Sequence, residues 1–230
     1  SDVLKELIDA ARNLSATGLV TGAGGNVSAR EEDGMWISPS GFAFADAGTD
    51  DYPLVDIDSG DILRGDRRPS SEVLMHLYIY RQRPDVQAVI HTHPRTTIAL
   101  CSAGHDLRPM FADYYVYLGP DVPHLDYITV TTPELARAVE THFVRESVKG
   151  MVLRNHGAIT VGASIKEAVY RTESIEEQAT IQWQALAVGE PTFLSDEECA
   201  KLDTLGSEAY RRQLLASMKD VWAEQKLFNA

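Results

Sequence analysis

The stretch VQAVIHTHP (86–94) constrains the fold of this chain more than any other, because it reads as a buried strand with chemistry at its end. Apolar and β-branched residues fill it, and Pro94 stops it. His91 and His93 lie two residues apart, and side chains two apart on a strand point to the same face. We therefore expect both imidazoles to project together from the strand end, where they can converge on one cation.

A third histidine, His156, completes a candidate metal site. It lies in LRNHGAIT, where Asn155 and Gly157 accept the backbone angles of a tight turn between two apolar runs. An HxH pair alone is weak evidence, but a catalytic site normally has three protein ligands and an open position. The combination predicts that His91, His93 and His156 bind a divalent ion, for which Zn, Mn, Fe and Co are all suitable.

Glu72 lies at the first turn of a helix that we predict from PSSEVLMHLYIYRQRP (69–84). The helix dipole alone favours a carboxylate at that position. Beside a metal, a glutamate that binds the ion or swings off it can serve as a general base or acid, and we predict this catalytic role for Glu72. His76, in the middle of the same helix, reads as a surface or hydrogen-bonded histidine, like His105 and His142.

Helical and strand patterns alternate along the chain, which predicts one α/β domain over residues 1–230, with residues 190–230 as a C-terminal helical extension. The clearest helical patterns cover residues 2–17, 164–188 and 203–227. The segment 110–130 is aromatic and interrupted by prolines, with strand character at its ends. Within that segment, His124 is a candidate for a residue that lines a substrate site.

The composition excludes several classes of partner. A formal charge of −13 argues against nucleic acid and against an anionic membrane surface. The cysteines, Cys101 and Cys199, are isolated in sequence, so we expect neither a disulfide framework nor a thiolate zinc site. No stretch approaches the ~18 apolar residues of a membrane span, and the first residues lack the apolar core of a signal peptide. We expect a cytoplasmic protein that acts on a small acidic molecule.

Two polar segments could hold an anion. TGAGGNVSAR (21–30) is not the dinucleotide-binding GxGxxG, because Val27 takes the place of the third glycine. Its exposed amides, with the side chain of Asn26, could still cradle an anionic group. Ser70 and Ser71, at a helix start, could do the same, and each segment could equally be a structural turn or a helix cap.

Four motifs occur in a fixed order: GGNVSAR, SPSG, PSSEVLMHLYIYRQRPDVQAVIHTHP and RNHGAITVG. This set resembles the class II aldolase/adducin family, over roughly residues 5–190. The resemblance implies a three-layer α/β/α sandwich around a mostly antiparallel sheet. It also implies that the three histidines bind a divalent metal, that Glu72 is the acid/base residue, and that the protein is a homotetramer with active sites at subunit interfaces. Tyr210 is our candidate for a residue contributed by the neighbouring subunit.

The family includes sugar-phosphate aldolases, epimerases and metal-dependent decarboxylases, so the substrate must be inferred from details. The residues that match the family's anion-binding positions are Asn26, Ser40, Gly41, Ser70 and Ser71. Ala23, however, stands where the sugar-phosphate aldolases carry a hydroxyl that helps to bind phosphate. The anion site therefore looks weakened for a phosphate dianion.

The segment FADYYVYLGPDVPHLDY (111–127) looks more similar to branches that decarboxylate hydroxylated aromatic or pyridine dicarboxylates. We therefore expect a decarboxylase of aromatic compound catabolism, in which the cation stabilises an enolate and Glu72, with Tyr114 or Tyr115, protonates the carbon. The closest alternative is an aldolase or epimerase of a phosphorylated sugar, since aldol cleavage needs the same enolate. The other alternative is a non-catalytic module like the adducin head.

Overall fold

A computed structural model describes residues 1–218, which form eight strands and eight helices. The strands are β1 (Asn26–Glu31), β2 (Gly34–Ile37), β3 (Leu54–Asp56), β4 (Ile62–Arg64), β5 (Ala88–Thr92), β6 (His124–Leu125), β7 (Gly150–Leu153) and β8 (Gly157–Gly162). The helices are α1 (Asp2–Ala16), α2 (Val73–Gln82), α3 (Arg95–Ser102), α4 (Ala112–Leu118), α5 (Pro133–Phe143), α6 (Ile165–Val188), α7 (Asp196–Asp203) and α8 (Gly206–Ser217). The predicted α/β class is confirmed.

All eight strands belong to one sheet, in the order β4-β3-β2-β1-β5-β8-β7-β6. Six of the neighbouring pairs are antiparallel, but β6 runs parallel to β7, with His124 opposite Val152. The sheet is therefore mixed, which corrects the expectation of a mostly antiparallel sheet. The physical reason is the connection between β6 and β7, which passes through α5 and returns the chain in the same direction.

The strand read from VQAVIHTHP lies at the centre of the sheet, between β1 and β8, and every residue of β5 is buried. Ala88 and Ile90 pack into the core on one face, against α1 and α6, whereas Val89 packs into the core on the other, against α2 and α5. Helices therefore cover both faces of the sheet. This double cover explains why β5 is a nearly continuous apolar run rather than an alternating one.

The N-terminal helix follows its sequence pattern closely. The hydroxyl of Ser1 accepts a hydrogen bond from the backbone N–H of Leu4 and caps the helix. The buried face of α1 consists of Leu4, Leu7, Ile8, Ala11 and Leu14. This spacing places one apolar stripe on the sheet and leaves the acidic and basic side chains in solvent.

Two other segments differ from their predicted structure. The aromatic segment forms a helix, α4, and only the two-residue β6, because the buried Tyr114, Tyr115 and Leu118 follow helical rather than alternating spacing. The pattern at 203–227 predicted one helix, but the chain breaks between α7 and α8, at Thr204 and Leu205.

Residues 219–227 of that predicted helix lie outside the described residues. A single domain over 1–230 with an extension from 190 stays a prediction, although α8 packs on α4, α6 and α7. Within residues 1–218, no helix combines the length and the apolar character that a membrane crossing requires.

Leu7 provides a test of the packing of α1 on the sheet, because its side chain is fully buried. We expect Leu7→Ala to lower the free energy of unfolding by ~2–5 kcal/mol, through lost burial and the cavity left behind. Val188→Ala is the matched control, since Val188 is 90% exposed at the end of α6 and its truncation should change stability by less than ~0.5 kcal/mol. Urea denaturation measures both, and equal losses would contradict this description of the core.

Candidate metal centre

Three imidazoles meet at the end of the central strands. His91 is on β5, His93 follows the strand, and His156 sits in the turn between β7 and β8. One ring nitrogen from each lies within 4.8 Å of the others, and the Nε2 atoms of His91 and His93 are 3.1 Å apart. Three convergent nitrogens are a donor set that divalent first-row metals accept, with room for a further ligand.

The backbone explains why the rings converge. β5 and β8 pair with Thr92 opposite Ala158, and the Nδ1 of His91 lies 3.0 Å from the carbonyl oxygen of Ala158. An Nδ1–H donated to that carbonyl leaves the Nε2 lone pair of His91 free for a metal. Asn155, at φ 58°, has the left-handed conformation that the Asn-His-Gly turn requires, as its residue types predicted.

Gly157 is essential to this packing because it has no side chain. A Cβ at that position would clash with the carbonyl oxygen of Thr92 and would lie 3.0 Å from Cδ2 of His93 and 3.2 Å from Cε1 of His91. The glycine of the motif therefore serves the turn and also leaves space for two imidazoles.

The carboxylate of Glu72 faces the histidines from the start of α2 and is only 8% exposed. Its Oε2 lies 3.3 Å from Nε2 of His91, and its Oε1 lies 3.3 Å from Nε2 of His156. Oε1 is buried without a hydrogen-bond partner among the described residues. An unneutralised oxygen beside three ring nitrogens fits a site built for a cation.

Burial and charge act in opposite directions on these groups. Burial by itself raises the pKa of Glu72, but the neighbouring rings of His91 and His156 outweigh it and hold the pKa well below its ordinary value. Burial, together with the charges of the neighbouring His91 and His156, lowers the pKa of His93 to about 4. The carboxylate is thus ionised and this ring is neutral at pH 7, as a metal site requires.

A buried series of hydrogen-bonded polar side chains begins at Glu72, and sequence reasoning missed it. Asn26 donates its Nδ2–H to Oε2 of Glu72 at 2.9 Å, and its Oδ1 lies 2.5 Å from Nε2 of His76. The other ring nitrogen of His76, Nδ1, lies 2.6 Å from the hydroxyl of Ser28, which is 3.0 Å from that of Tyr80. The spacing of His76, four residues after Glu72, was the signal, since residues four apart share a helix face.

The two segments that carry most of the predicted anion-binding residues meet next to the start of α2. A β-bridge between Pro39 and Pro69 joins the segments 38–41 and 69–71. The backbone N–H of Ser70 also donates to the carbonyl of Ser38. Ser70, in turn, accepts a hydrogen bond from the backbone N–H of Glu72. The remaining members of the predicted set here are Ser40, Gly41 and Ser71. Gly41 has a φ of 81°, and no atom lies within 4 Å of the Cβ that it lacks.

The two predicted catalytic tyrosines point elsewhere. Tyr114 is buried in a core cluster with Leu118 and residues of α3 and α6, and its hydroxyl has no hydrogen-bond partner among the described residues. Tyr115 donates its hydroxyl to Asp203 of α7 at 2.8 Å. Both belong to α4, whose aromatic face holds helices together, so the structure does not bring them to the histidines.

For two further candidate residues, His124 and Tyr210, the structure gives surroundings other than the metal ligands. His124 accepts a hydrogen bond at Nε2 from the backbone N–H of Leu107. Tyr210 is 67% exposed on α8 and is directed to solvent in the single chain.

Three imidazoles at the ends of the central strands, together with a buried carboxylate at the start of α2, define a class of metal-dependent enzyme. Residues 5–183 match the family described as Class II Aldolase and Adducin N-terminal domain. The chain therefore belongs to the class II aldolase/adducin family, as its motifs indicated. The expected divalent-metal cofactor is confirmed, since the class II aldolases depend on one and the His91, His93 and His156 group can hold it.

Several relatives resemble nearly the whole chain. It is 34% identical over 200 residues, 86% of this chain and 92% of the relative, to a 5-deoxy-D-ribulose 1-phosphate aldolase of Bacillus thuringiensis serovar kurstaki. It is 38% identical over 200 residues, covering 85% and 87%, to a 5-methylthioribulose-1-phosphate/5-deoxyribulose-1-phosphate aldolase of Rhodospirillum rubrum. A solved L-fuculose 1-phosphate aldolase superposes with a TM-score of 0.82 at 33% identity, covering 92% and 97%.

These relatives show that the expected decarboxylation of an aromatic or pyridine dicarboxylate was wrong. All three are named as aldolases of sugar phosphates, which was the alternative reading. The error came from the segment 111–127, which looked similar to decarboxylase branches and whose tyrosines, Tyr114 and Tyr115, we expected to help protonate the carbon. They pack instead into the core and against α7. The coarser expectation, a carbon–carbon lyase, agrees with the relatives.

Gly157 provides a test of the metal centre. We expect Gly157→Ala to weaken metal affinity at least ~10-fold, because the new methyl group displaces the rings of His91 and His93. Gly189→Ala is the matched control, since Gly189 has an extended backbone and no atom lies within 4 Å of the added Cβ. Competition with a chromogenic chelator measures both affinities, and an unchanged value for Gly157→Ala would refute the assigned geometry.

His76 provides a test by pH. Burial, with the charge of His91, lowers the pKa of His76 to about 3, from the ~6.5 of an ordinary histidine. Between these pH values the unfolded chain binds a proton that the folded one refuses, so stability is lost as pH falls below ~6.5. We expect the metal-free protein to lose ~2 kcal/mol between pH 7 and pH 5 through this residue, at ~1.4 kcal/mol per pH unit.

His76→Gln should remove that part of the pH dependence, which urea denaturation at both pH values measures. A variant whose unfolding free energy changes with pH as steeply as that of the wild type would show that His76 is charged in the folded protein.

Proposed function

We propose that this protein is a divalent-metal-dependent aldolase that cleaves a ketose 1-phosphate of the 5-deoxyribulose or 5-methylthioribulose type. The observation that carries the proposal is the set of three histidines and Glu72, in a chain 34% and 38% identical to aldolases named for those substrates over most of its length. The presence of all four groups argues against a non-catalytic adducin-like module.

The reaction balances without an oxidant or reductant. The hydroxyl on C4 of the sugar loses its proton, the C3–C4 bond breaks, and C4 leaves as an aldehyde. The bonding electrons pass into the C2 carbonyl, and a proton added at C3 gives dihydroxyacetone phosphate. A bound divalent cation supplies Lewis-acid polarisation of the substrate oxygens.

Glu72 is the proposed group that moves the proton at C3. Its carboxylate is buried, faces the histidines and has an oxygen, Oε1, without a hydrogen-bond partner among the described residues. A positioned carboxylate that is ionised before proton uptake can accept a proton and return it within one reaction cycle. The substrate's own charge then has to be held on another side of the pocket.

That side is supplied by the proposed phosphate site. Ser40, Gly41, Ser70 and Ser71 lie in two chain segments held together beside the start of α2. Backbone and hydroxyl donors at a helix start are a common phosphate environment. Asn26 keeps one N–H beyond the bond it makes to Glu72, so it is the fifth proposed donor. These donors support phosphate binding although Ala23 lacks a hydroxyl.

The proposal includes a homotetramer with active sites at subunit interfaces, which rests on the family resemblance. Tyr210, exposed on α8, is the residue that we propose reaches a neighbouring site.

The activity is tested by incubating the metal-loaded protein with 5-deoxyribulose 1-phosphate and 5-methylthioribulose 1-phosphate. Dihydroxyacetone phosphate is measured through its coupled reduction by NADH. We expect cleavage that a chelator abolishes and added metal restores. The absence of cleavage of either substrate and of L-fuculose 1-phosphate would sink the proposal.

L-Fuculose 1-phosphate is the second candidate substrate, because the solved structure that superposes at a TM-score of 0.82 bears that name. The ratio of kcat/KM values for fuculose and deoxyribulose phosphates decides between them. The two sugars differ beyond C4, so the comparison reads the part of the pocket that holds the aldehyde product.

Glu72→Gln tests the proton carrier. We expect metal content to be kept and kcat to fall ~10²–10⁴-fold, because the amide cannot accept and return a proton. Glu190→Gln is the matched control, since Glu190 is exposed beyond the end of α6 and its loss should leave kcat unchanged. Full turnover by Glu72→Gln would remove this residue from the mechanism.

A further inference from the structure

The series of hydrogen bonds that begins at Glu72 points to a function for His76. We propose that His76, through Asn26, is a positioning residue that holds Oε2 of Glu72 in place and so directs Oε1 at His156. This inference deepens the proposed function and rests on it. It is carried by five side chains in one continuous series of hydrogen bonds: Glu72, Asn26, His76, Ser28 and Tyr80.

The series arises from two matched spacings. Glu72, His76 and Tyr80 are four residues apart, which aligns them along one side of α2 and its first turn. Asn26 and Ser28 are two residues apart on β1, so they point to the same face of the sheet. Asn26 and Ser28 lie against these three residues of α2 and its first turn. Asn26 bridges Glu72 and His76, and Ser28 bridges His76 and Tyr80.

The hydrogen bond from Asn26 to Glu72 sets the direction of the rest of the series. Asn26 donates its Nδ2–H to Oε2, so its amide oxygen Oδ1 faces His76. Because Oδ1 only accepts, the Nε2 of His76 must carry the proton. The opposite orientation of the Asn26 amide would place two acceptor oxygens 2.9 Å apart.

The rest of the series follows from the tautomer of His76. With the proton on Nε2, the unprotonated Nδ1 accepts from the hydroxyl of Ser28, which in turn accepts from that of Tyr80. The ring is fully buried, and burial with the charge of His91 lowers its pKa to about 3, which keeps it neutral. A neutral ring with one defined tautomer is a fixed donor, and it holds the amide of Asn26 in one orientation.

The consequence for Glu72 is that its two oxygens have different surroundings. Oε2 accepts from Asn26, whereas Oε1 has no hydrogen-bond partner among the described residues and lies 3.3 Å from Nε2 of His156.

The tautomer can be measured without any turnover. In the Zn²⁺-loaded protein labelled with ¹⁵N-histidine, long-range ¹H–¹⁵N spectra distinguish protonated from unprotonated ring nitrogens. We expect the His76 signals to show a protonated Nε2 and an unprotonated Nδ1 at pH 7, and their absence from His76→Gln identifies them. A proton on Nδ1, in either the other tautomer or an imidazolium, would overturn the proposal.

Kinetics test the positioning. We expect His76→Leu to lower kcat ~10–100-fold, with zinc content unchanged and KM within about twofold of wild type. His76→Gln should recover most of the loss, because its side-chain N–H can still donate to Asn26. A wild-type kcat in the Leu variant, or a folded Gln variant no better than Leu, would overturn the proposal.

Two further variants separate positioning from general loosening of α2. Ile79→Val removes one buried methyl group from the same helix, in the core and apart from the polar series, so it should lower stability and leave kcat unchanged. If His76→Leu does not fold, Ser28→Ala replaces it. Loss of the hydroxyl should bring the alternative tautomer of His76 into the spectra and lower kcat, and a wild-type spectrum would contradict the proposal.

The proposed function and this inference fail in distinguishable ways. A wild-type protein that cleaves no ketose phosphate refutes the function, while the ring signals of His76 still report the direction of the hydrogen bonds. A wild-type protein that is active but carries the other tautomer refutes the inference alone.

Discussion

The site depends on the burial of one carboxylate among imidazoles. Removing the charge of Glu72 from water is costly unless it is paired and hydrogen-bonded, and here His91, His156 and Asn26 supply the partners. The same compensation keeps the group ionised and close to the place where a cation binds. Because each partner comes from a different element, the metal centre exists only when β1, β5, α2 and the β7–β8 turn are assembled.

That assembly depends in turn on backbone packing at the centre of the sheet. β5 is covered on both faces, so its position is set by apolar contacts to two separate cores. The ladder to β8 then sets the ring of His91 through the carbonyl of Ala158. Gly157 leaves the space that two imidazoles occupy. The packed centre of the sheet thus holds the histidines in place, which suits chemistry that needs fixed geometry.

The wrong substrate expectation shows where residue types mislead. The aromatic segment 111–127 looked similar to decarboxylase branches and its tyrosines suggested a proton donor, but aromatic side chains bury large areas and are equally useful in a core. Tyr114 and Tyr115 hold α4 against its neighbours. The hydroxyl missing at Ala23 was likewise weak evidence against a phosphate site, because phosphate can be held by several backbone and hydroxyl donors together.

The sequence by itself determined the α/β class, the family and the three histidines that can hold a metal. His91 and His93 were readable because strand periodicity is local, and His156 because Asn155 and Gly157 specify a turn. Only the tertiary structure decided the hydrogen-bond partners of His76, the parallel β6–β7 pair and the positions of the tyrosines. These depend on which distant segments meet, and no local spacing encodes that Asn26 of β1 lies between Glu72 and His76. A buried polar group is identified by its partners, and its partners are known only once the chain has folded.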